Sequence, residues 1–160
     1  MSKVVRWQIA DYLGVGSSPA YHLMGVGFTQ VDEEPSAQVE STAYVHNKSK
    51  RGTIKGYENT FPFETHIETD EAAIEALYQV GRNQKTGSEA EFDYVRVELF
   101  KPIGSDSQTT YAARKFRVAA EISGITGEGT ELVTVSGVLH QVGDFVDGTF
   151  DTSTKTFTGA

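Results

Sequence analysis

The four histidines, which are common metal ligands and general bases, are spread too widely along the chain to form a local site. They are His22, His46, His66 and His140. No two of them have the i, i+2 or i, i+4 spacing that directs two imidazoles at one ion. Because the chain contains no cysteine, thiolate zinc sites, disulfides and cysteine nucleophiles are excluded as well. The sequence therefore predicts neither a metal nor a cofactor.

The acidic and glycine-rich motifs also lack the pattern of a catalytic or ligand site. Asp144, Asp147 and Asp151 resemble a calcium loop, but their spacing departs from that of an EF-hand and favours a solvated acidic turn. Gly14 and Gly16 are followed by neither a Gly-Lys-Ser/Thr motif nor a helix start, so they do not form a phosphate loop. No serine stands in a Gly-x-Ser-x-Gly context, and the carboxylate pairs, such as Glu89/Glu91 and Glu64/Glu68, lie in polar segments with no sign of the burial that would raise a pKa. We expect no enzyme activity.

Length and charge narrow the class of protein further. The 160 residues suffice for one domain with a hydrophobic core, and no apolar run is long enough to cross a membrane. The 14 basic and 22 acidic residues give a net charge of −8, which disfavours tight nucleic-acid binding. The excess lies in residues 61–160, which carry eight basic and sixteen acidic groups.

Periodicity predicts a mainly β domain with one helix. The helix begins at Asp70 as N-cap and ends near Arg82, with Ile74 and Leu77 on its apolar stripe. Alternating patterns predict six strands, joined in part by a hairpin near residues 127–129. They cover 21–31, 37–46, 57–67, 92–100, 111–122 and 131–142. We expect a single domain over 1–160 whose antiparallel β-sandwich or barrel spans 21–142, with the helix at about 70–83.

Three segments remain outside this predicted sandwich. Residues 1–20 are expected to form an N-terminal arm and loop, and 143–160 an extended C-terminal arm. Between them, 46–56 is expected to be a long exposed loop, because it is basic and almost free of apolar side chains. A polar loop is expected from Pro102 to Thr110. The basic loop is either a solvated tip or a contact with an acidic patch on another copy, and the sequence leaves both open.

This much extended chain indicates self-assembly. Arms that carry apolar residues but cannot fold back into a core gain order from neighbouring copies, and an unpaired edge strand is otherwise an aggregation risk.

The order of these elements resembles the tail tube proteins, or major tail proteins, of long-tailed, non-contractile bacteriophages. The resemblance covers most of the chain. One part is the strand, basic loop and strand over 43–63, and another is Asp-Glu-Ala-Ala-Ile-Glu-Ala-Leu-Tyr at 70–78 leading into the strand at 92–99. The third is the terminal run Gly-Thr-Phe-Asp-Thr-Ser-Thr-Lys-Thr-Phe-Thr at 148–158.

The resemblance implies a β-sandwich with one helix that forms hexameric rings, and these rings stack into a hollow tube around a tape measure protein. It also implies tail terminator and tail-tip proteins as partners, assembly in the host bacterial cytoplasm and a final place in the virion. DNA would pass through an acidic lumen without specific binding, because negative charge repels phosphates. No membrane partner is implied.

Carried onto this sequence, the resemblance assigns three sets of residues. The inter-subunit loop would present His46, Lys48, Lys50, Arg51 and Lys55. The terminal arms, 2–12 and 144–158, would contact neighbours through Val4, Trp7, Ile9, Phe145, Phe150 and Phe157. By alternation, the candidate lumen charges are Glu98, Glu121 and Glu131.

Two hypotheses remain as alternatives to a tail tube protein. One is another ring-forming phage tail or connector protein, or a secretion-tube protein, which would differ in whether it polymerises without limit. The other is a stand-alone β-sandwich binding module, in which Trp7, Tyr44, Tyr57 or Tyr94 would form a stacking platform for carbohydrate or peptide.

Overall fold

The computed structural model describes residues 2–16, 18–104 and 109–159. Within these ranges the chain forms eleven strands, one α-helix and two turns of 3-10 helix. The strands are β1 Ile9–Val15, β2 Ala20–Leu23, β3 Phe28–Val31, β4 Ala37–Thr42, β5 Arg51–Tyr57, β6 Thr60–His66, β7 Glu91–Pro102, β8 Thr110–Thr126, β9 Thr134–Gln141, β10 Val146–Asp151 and β11 Thr156–Gly159. The helix α1 is Ala72–Arg82, and the 3-10 turns are Arg6–Gln8 and Gly87–Ala90. This confirms the predicted mainly β, antiparallel fold with one helix.

One long strand, β8, organises the sheet. The main sheet has the order β2-β1-β7-β8-β9-β6-β3 and curls into a half-barrel. One edge of β8 pairs with β7, and the other pairs first with β10, at residues 110–115, and then with β9, at residues 118–126. β11 follows β10 as an antiparallel hairpin. Because two partners divide one edge of β8, the sheet branches there and covers part of its own face.

The central strands are buried on both faces. On one face, Leu13, Tyr94 and Phe116 pack in a core that includes the helix residue Leu77 and residues of β6 and β9. On the other face, Tyr12 of β1 joins a second cluster with residues of β7, β8 and β10. Neighbouring residues in one strand thus enter different cores, as alternation of side chains across a sheet requires.

The helix buries the stripe that its sequence predicts. Ala73, Ile74, Leu77 and Val80 are buried, and α1 packs chiefly on β8. Gly81 allows this close approach, because a Cβ at that position would lie 2.8 Å from a side-chain carbon of Ile122. The N-cap is Glu71 rather than the predicted Asp70, and its carbonyl accepts the first helical hydrogen bond, from the Glu75 amide at 3.0 Å.

The predicted N-terminal arm is corrected by β1. Residues 9–15 form a strand between β2 and β7, so Ile9 belongs to the sheet and only residues 2–8 lie outside it. Tyr12 and Leu13 are both buried, and they face different cores. A strand covered on both faces shows no apolar–polar alternation, which explains why the sequence pattern did not reveal it.

The predicted C-terminal arm is corrected by the β10–β11 hairpin. Phe150 is fully buried against Tyr12, with ring centroids 4.5 Å apart, and Phe157 packs on the same cluster. The turn forms where the Asp151 carboxylate accepts hydrogen bonds from the Ser153 amide at 2.9 Å and from the Ser153 hydroxyl at 2.7 Å. This local turn supplies the pairing partner that the sequence analysis did not recognise.

The predicted strand at 21–31 and the predicted loop at 46–56 also change. Residues 21–31 divide into β2 and β3, and Gly27 between them has φ of +88° and lies too close to the His66 carbonyl oxygen for a Cβ. Residues 51–57 form β5, which pairs with β4 in a separate two-stranded sheet, so the exposed loop shortens to 43–50. The predicted polar loop from Pro102 to Thr110 contains residues 105–108, which lie outside the described residues.

The burial of Phe150 gives a direct test of the corrected C-terminus. Phe150→Ala is expected to lower the free energy of unfolding by about 3–5 kcal/mol, because it leaves a cavity between β1, β2 and β10. Val146→Ala is the matched control, since Val146 lies in the same strand and its side chain is half exposed. Urea unfolding of both variants measures the difference, and equal small losses would show that the hairpin is not part of the core.

Candidate self-association surfaces

The β4–β5 pair, called the ribbon below, extends from the half-barrel with almost no cover. Within these two strands only Thr42 and Gly56 are partly shielded, and every other residue is exposed. The root is held by backbone hydrogen bonds between Glu34 and Thr60 on either side of the ribbon. An isolated two-stranded ribbon is only marginally stable in water, so a partner that covers it would stabilise it.

The ribbon has one apolar face, and a β-bulge creates it. Val39 lies directly opposite Ile54, and Ala37 lies opposite Tyr57. The register shifts by one residue between these pairs, which leaves Lys55 as the extra residue of β5. This shift brings Ile54 and Tyr57 to the same face although they are three residues apart. The side chains of Val39, Ile54 and Tyr57 are each more than half exposed.

The predicted basic residues occupy different parts of the ribbon. His46, Lys48 and Lys50 are exposed in the loop at its tip, whereas Arg51 and Lys55 lie in β5. Lys55 forms an exposed ion pair with Glu40 across the ribbon, at 2.9 Å. The predicted set is therefore not one loop, and three of its five members are left at the tip.

Residues 2–8, called the N-terminal segment below, present apolar side chains from a fixed base. Arg6 holds the base, because its guanidinium donates to the Ile9 carbonyl at 2.7 Å and to the Val31 carbonyl at 2.8 Å. The same group forms an ion pair with Asp11 at 2.8 Å. Val4 and Trp7 point outward, and the Trp7 side chain is 76% exposed.

A network of buried charges connects the N-terminal segment to the root of the ribbon. The Asp11 carboxylate accepts hydrogen bonds from the Tyr94 hydroxyl and from Arg96. Arg96 also lies 3.7 Å from Glu33, and Glu33 accepts two hydrogen bonds from Arg114, each of 2.8 Å. Since Glu33 precedes β4 by only four residues, this network fixes where the ribbon leaves the body.

Burial and charge shift the pKa values in this network in opposite directions. Burial, with a further contribution from Asp11, raises the pKa of Tyr94 well above its usual value, so the phenol stays neutral and donates its hydrogen. Burial also opposes ionisation of Glu33, but its hydrogen bonds and charge interactions with Arg114 and Arg96 hold its pKa below the usual 4.5. Glu33 is therefore ionised at neutral pH.

The aromatic residues assigned to the C-terminal arm divide into two groups. Phe150 is fully buried in the subunit's own core, and Phe157 is partly buried against the same cluster. Phe145 stays 42% exposed, with its ring against Phe116 at 5.4 Å and beneath the Arg114 guanidinium at 5.5 Å. Of the six predicted arm contacts, Val4, Trp7 and Phe145 remain exposed for a partner, while Ile9 is a partly buried residue of β1.

The three candidate lumen carboxylates do not share one face. Glu121 lies on the face of β8 opposite to the helix, where it accepts a hydrogen bond from His140 at 2.9 Å. Glu98 projects from the other face of the sheet and pairs with Lys101 at 3.2 Å. Glu131 is exposed in the connection from β8 to β9. The register instead places Glu64 of β6 on the same face as Glu121, a neighbour that sequence alternation within single strands could not reveal.

Metal binding, membrane spanning and aromatic stacking on a ligand can also be compared with the structure. The described residues bring together no cluster of three His, Asp or Glu side chains suited to a metal. Within the part of the chain that the structure describes, no helix has both the length and the apolar composition of a membrane span. Tyr94, part of the alternative stacking platform, is fully buried and bonded to Asp11, so it cannot stack on a ligand.

The pKa of Glu33 predicts how stability depends on pH. A carboxylate with a lowered folded-state pKa contributes its full stabilisation above the unfolded value and loses it as pH falls through the folded value. Glu33→Gln is therefore expected to lower the free energy of unfolding by about 2 kcal/mol at pH 7, and the difference from wild type should shrink as the pH falls below 4.5. Glu34→Gln, an exposed neighbour, is the control. Thermal unfolding between pH 7 and 3 measures this, and a difference that does not change with pH would contradict it.

Comparison with known proteins identifies the fold. No family model and no curated protein matches the chain by sequence. Among solved structures, the SPP1 tail tube matches with a TM-score of 0.61 and 13% identity, over 91% of this chain and 78% of that one. The anti-feeding prophage baseplate matches with a TM-score of 0.56 and 9% identity, over 95% of this chain and 98% of that one. The sheath/tube terminator of an extracellular contractile injection system matches with a TM-score of 0.55 and 5% identity, over 92% and 97%.

These structures come from contractile and other tail assemblies alike, so the likeness does not distinguish between them. At such identities it establishes the fold, and it agrees with the resemblance found in the sequence. The chain has the fold that is shared by these tail tube, baseplate and tube-terminator proteins.

Proposed function

We propose that this chain is the structural subunit of a bacteriophage tail tube, in which hexameric rings stack around a hollow lumen. The observation that carries the proposal is the ribbon, whose apolar face of Val39, Ile54 and Tyr57 is left uncovered by the residues that the structure describes. The fold shared with the SPP1 tail tube supports the same assignment. In this role the chain would be assembled in the host cytoplasm and would belong to the virion of a long-tailed, non-contractile phage.

The charge distribution favours a second copy of this chain as the ribbon's partner. The subunit carries a net charge of −8, whereas the loop at the ribbon tip presents the exposed bases Lys48 and Lys50, and the exposed Arg51 follows them at the start of β5. A basic tip is attracted to the acidic body of another copy, and the apolar face behind it then loses water on contact. Contacts of this head-to-tail kind repeat from copy to copy and generate rings or filaments.

The sheet offers edges for closure within a ring. β2 and β3 end the strand order of the main sheet, and each pairs on one edge. Unpaired strand edges are ready to pair with another chain, so side-by-side subunits would join their half-barrels into a continuous wall. Six copies would close such a ring, and the tape measure protein, tail terminator and tail-tip proteins would set its length and its ends.

The open face of β6, β9 and β8 is the candidate lumen wall. It carries Glu64 and Glu121, and Glu121 pairs with His140 there. An exposed polar face of this kind, rather than the opposite face that holds Glu98, would repel DNA phosphates and let DNA slide. Glu131, in the neighbouring connection, would add to the same negative potential.

A second candidate is a tube terminator, which forms one ring and stops. The likeness to the sheath/tube terminator of an extracellular contractile injection system favours it almost as much as the tube assignment, with TM-scores of 0.55 and 0.61. The two differ in their assembly products, because a terminator gives rings of fixed size and a tube subunit gives particles that grow with concentration.

Loss of the ribbon's apolar face is expected to stop assembly without unfolding the subunit. The double variant Val39→Ser and Ile54→Ser removes both side chains of one directly opposed pair. Since both are exposed, the thermal midpoint should change by less than about 2 °C. Sedimentation velocity should show large particles for wild type and monomers for the variant.

The control for this experiment changes the other face of the same ribbon. Glu40→Gln with Thr53→Ser alters a directly opposed polar pair and should leave assembly intact. Wild-type-sized particles from the Val39/Ile54 variant would remove the ribbon from the assembly interface.

Reversal of the lumen charges is expected to make tubes retain DNA. Glu64→Lys with Glu121→Lys changes the charge of the candidate lumen face by four units per subunit and leaves the ribbon unaltered. Co-sedimentation with short duplex DNA at low salt should rise several-fold relative to wild type and should fall as salt is added. Glu75→Lys with Glu71→Lys, at the start of the helix, is the control, and equal retention by the two variants would place Glu64 and Glu121 outside the lumen.

A further inference from the structure

A cavity of about 550 Å³ lies between the root of the ribbon and the start of β10. Its walls are apolar at Pro35, Tyr57 and Phe145, and its polar groups include Asn59 and Arg114. A second cavity, of about 620 Å³, adjoins it through shared residues and adds Glu58 to a rim that already contains Asp144. The ribbon-root cavity thus combines apolar walls, a polar interior and an acidic rim.

Two residues that line this cavity each have a buried side-chain polar atom without a hydrogen-bond partner among the described residues. These atoms are the side-chain oxygen of Asn59 and the Nε of Arg114. The Asn59 amide nitrogen is already used, since it donates to Gln141 at 3.0 Å. Its oxygen therefore lacks a donor, and buried polar groups in folded proteins are nearly always paired. A ligand that brings an N–H group on an apolar body would pair with this oxygen, whereas the Nε of Arg114 is itself a donor and would need an acceptor.

Trp7 has the complementary properties and is the single tryptophan of the chain. Its side chain is 76% exposed and makes no hydrogen bond within the described residues. An indole is a large apolar group with one N–H donor and no acceptor, which matches both the walls of the cavity and the unpaired oxygen of Asn59. The N-terminal segment has no acidic residue, and with Arg6 already paired with Asp11, the exposed Lys3 is the basic group that complements Glu58 and Asp144 on the rim.

The geometry assigns this contact to two copies. In its own subunit, Trp7 lines a different cavity, between β1 and β3, where Arg6 fixes the base of the segment. We propose that Trp7 of one copy inserts into the ribbon-root cavity of the next copy and donates its indole N–H to Asn59. The proposal gives the exposed N-terminal segment a binding site on the next copy. Only the role of this contact in tube assembly rests on the proposed function.

A peptide of residues 2–8 tests the contact without requiring any assembly. The peptide is titrated into the full chain carrying Trp7→Ala, so that the peptide holds the only tryptophan in the sample. Its emission should shift to shorter wavelength in a saturable manner as the indole leaves water. In the same titration, the chain that also carries Asn59→Leu should bind the peptide with a dissociation constant at least about tenfold higher, as expected for loss of one buried hydrogen bond.

Two controls make the result decisive. Phe145→Ala removes an apolar wall of the cavity and should weaken binding as well, which keeps the test valid if Asn59→Leu does not fold. The Lys3→Ala peptide should bind more weakly than the native peptide at low salt, and this difference in affinity should shrink at high salt. The proposal would be overturned by an unshifted emission with the Trp7→Ala chain, or by folded Asn59 and Phe145 variants that bind the peptide as tightly as the Trp7→Ala chain does. Either outcome leaves the tube assignment standing, because tube formation is measured separately.

Discussion

The buried network of Asp11, Tyr94, Arg96, Glu33 and Arg114 is the interaction on which the positions of the exposed elements depend. Asp11 and Arg96 are buried and Glu33 and Arg114 are partly buried, and each of the four charges is compensated by an opposite charge or a hydrogen bond inside the protein. Removing one partner from such a network leaves another charge unpaired, so the network tolerates little displacement. It joins β1, β7 and β8 to the segment before the ribbon, while Arg6 extends it to the N-terminal segment.

The fold therefore consists of a rigid body and two exposed elements, the ribbon and the N-terminal segment, that are candidates for contacts between subunits. The two cores and the branched sheet supply the body, and the ribbon and the N-terminal segment both present apolar side chains that belong to neither core. Both surfaces leave the body at points fixed by charged groups rather than by flexible linkers. Elements held in this way lose less conformational entropy when a partner binds than free arms would lose.

The sequence predicts the parts of the fold whose signals are local. The stripe of α1, the alternation of β7 and the hairpin between β8 and β9 are determined by residues close together in the chain, and the structure has all three. β1 was missed because both its faces are covered, and β10 because its turn to β11 was not recognised and its other partner, β8, lies more than thirty residues away. The alternation at 37–42 is real, but local pattern does not reveal that its apolar face, with Val39, stays exposed among residues 2–16, 18–104 and 109–159.

The candidate site was predictable only in outline. The exposed basic tip and Trp7 follow from composition and position, whereas the bulge at Lys55 and the pairing of Glu33 with Arg114 depend on register between distant segments. One signal was present in the sequence: Arg96 and Arg114 each stand two residues from a core aromatic on the same strand face. A charge at such a position requires a buried partner.

The central claim is that copies of this chain build a hollow tube, and electron microscopy of the purified, concentrated chain tests it most directly. The account predicts unbranched tubes with an open lumen and six-fold symmetry in end view. Particles that remain monomeric at every concentration and ionic strength, alone and after addition of tail-initiation components, would contradict it.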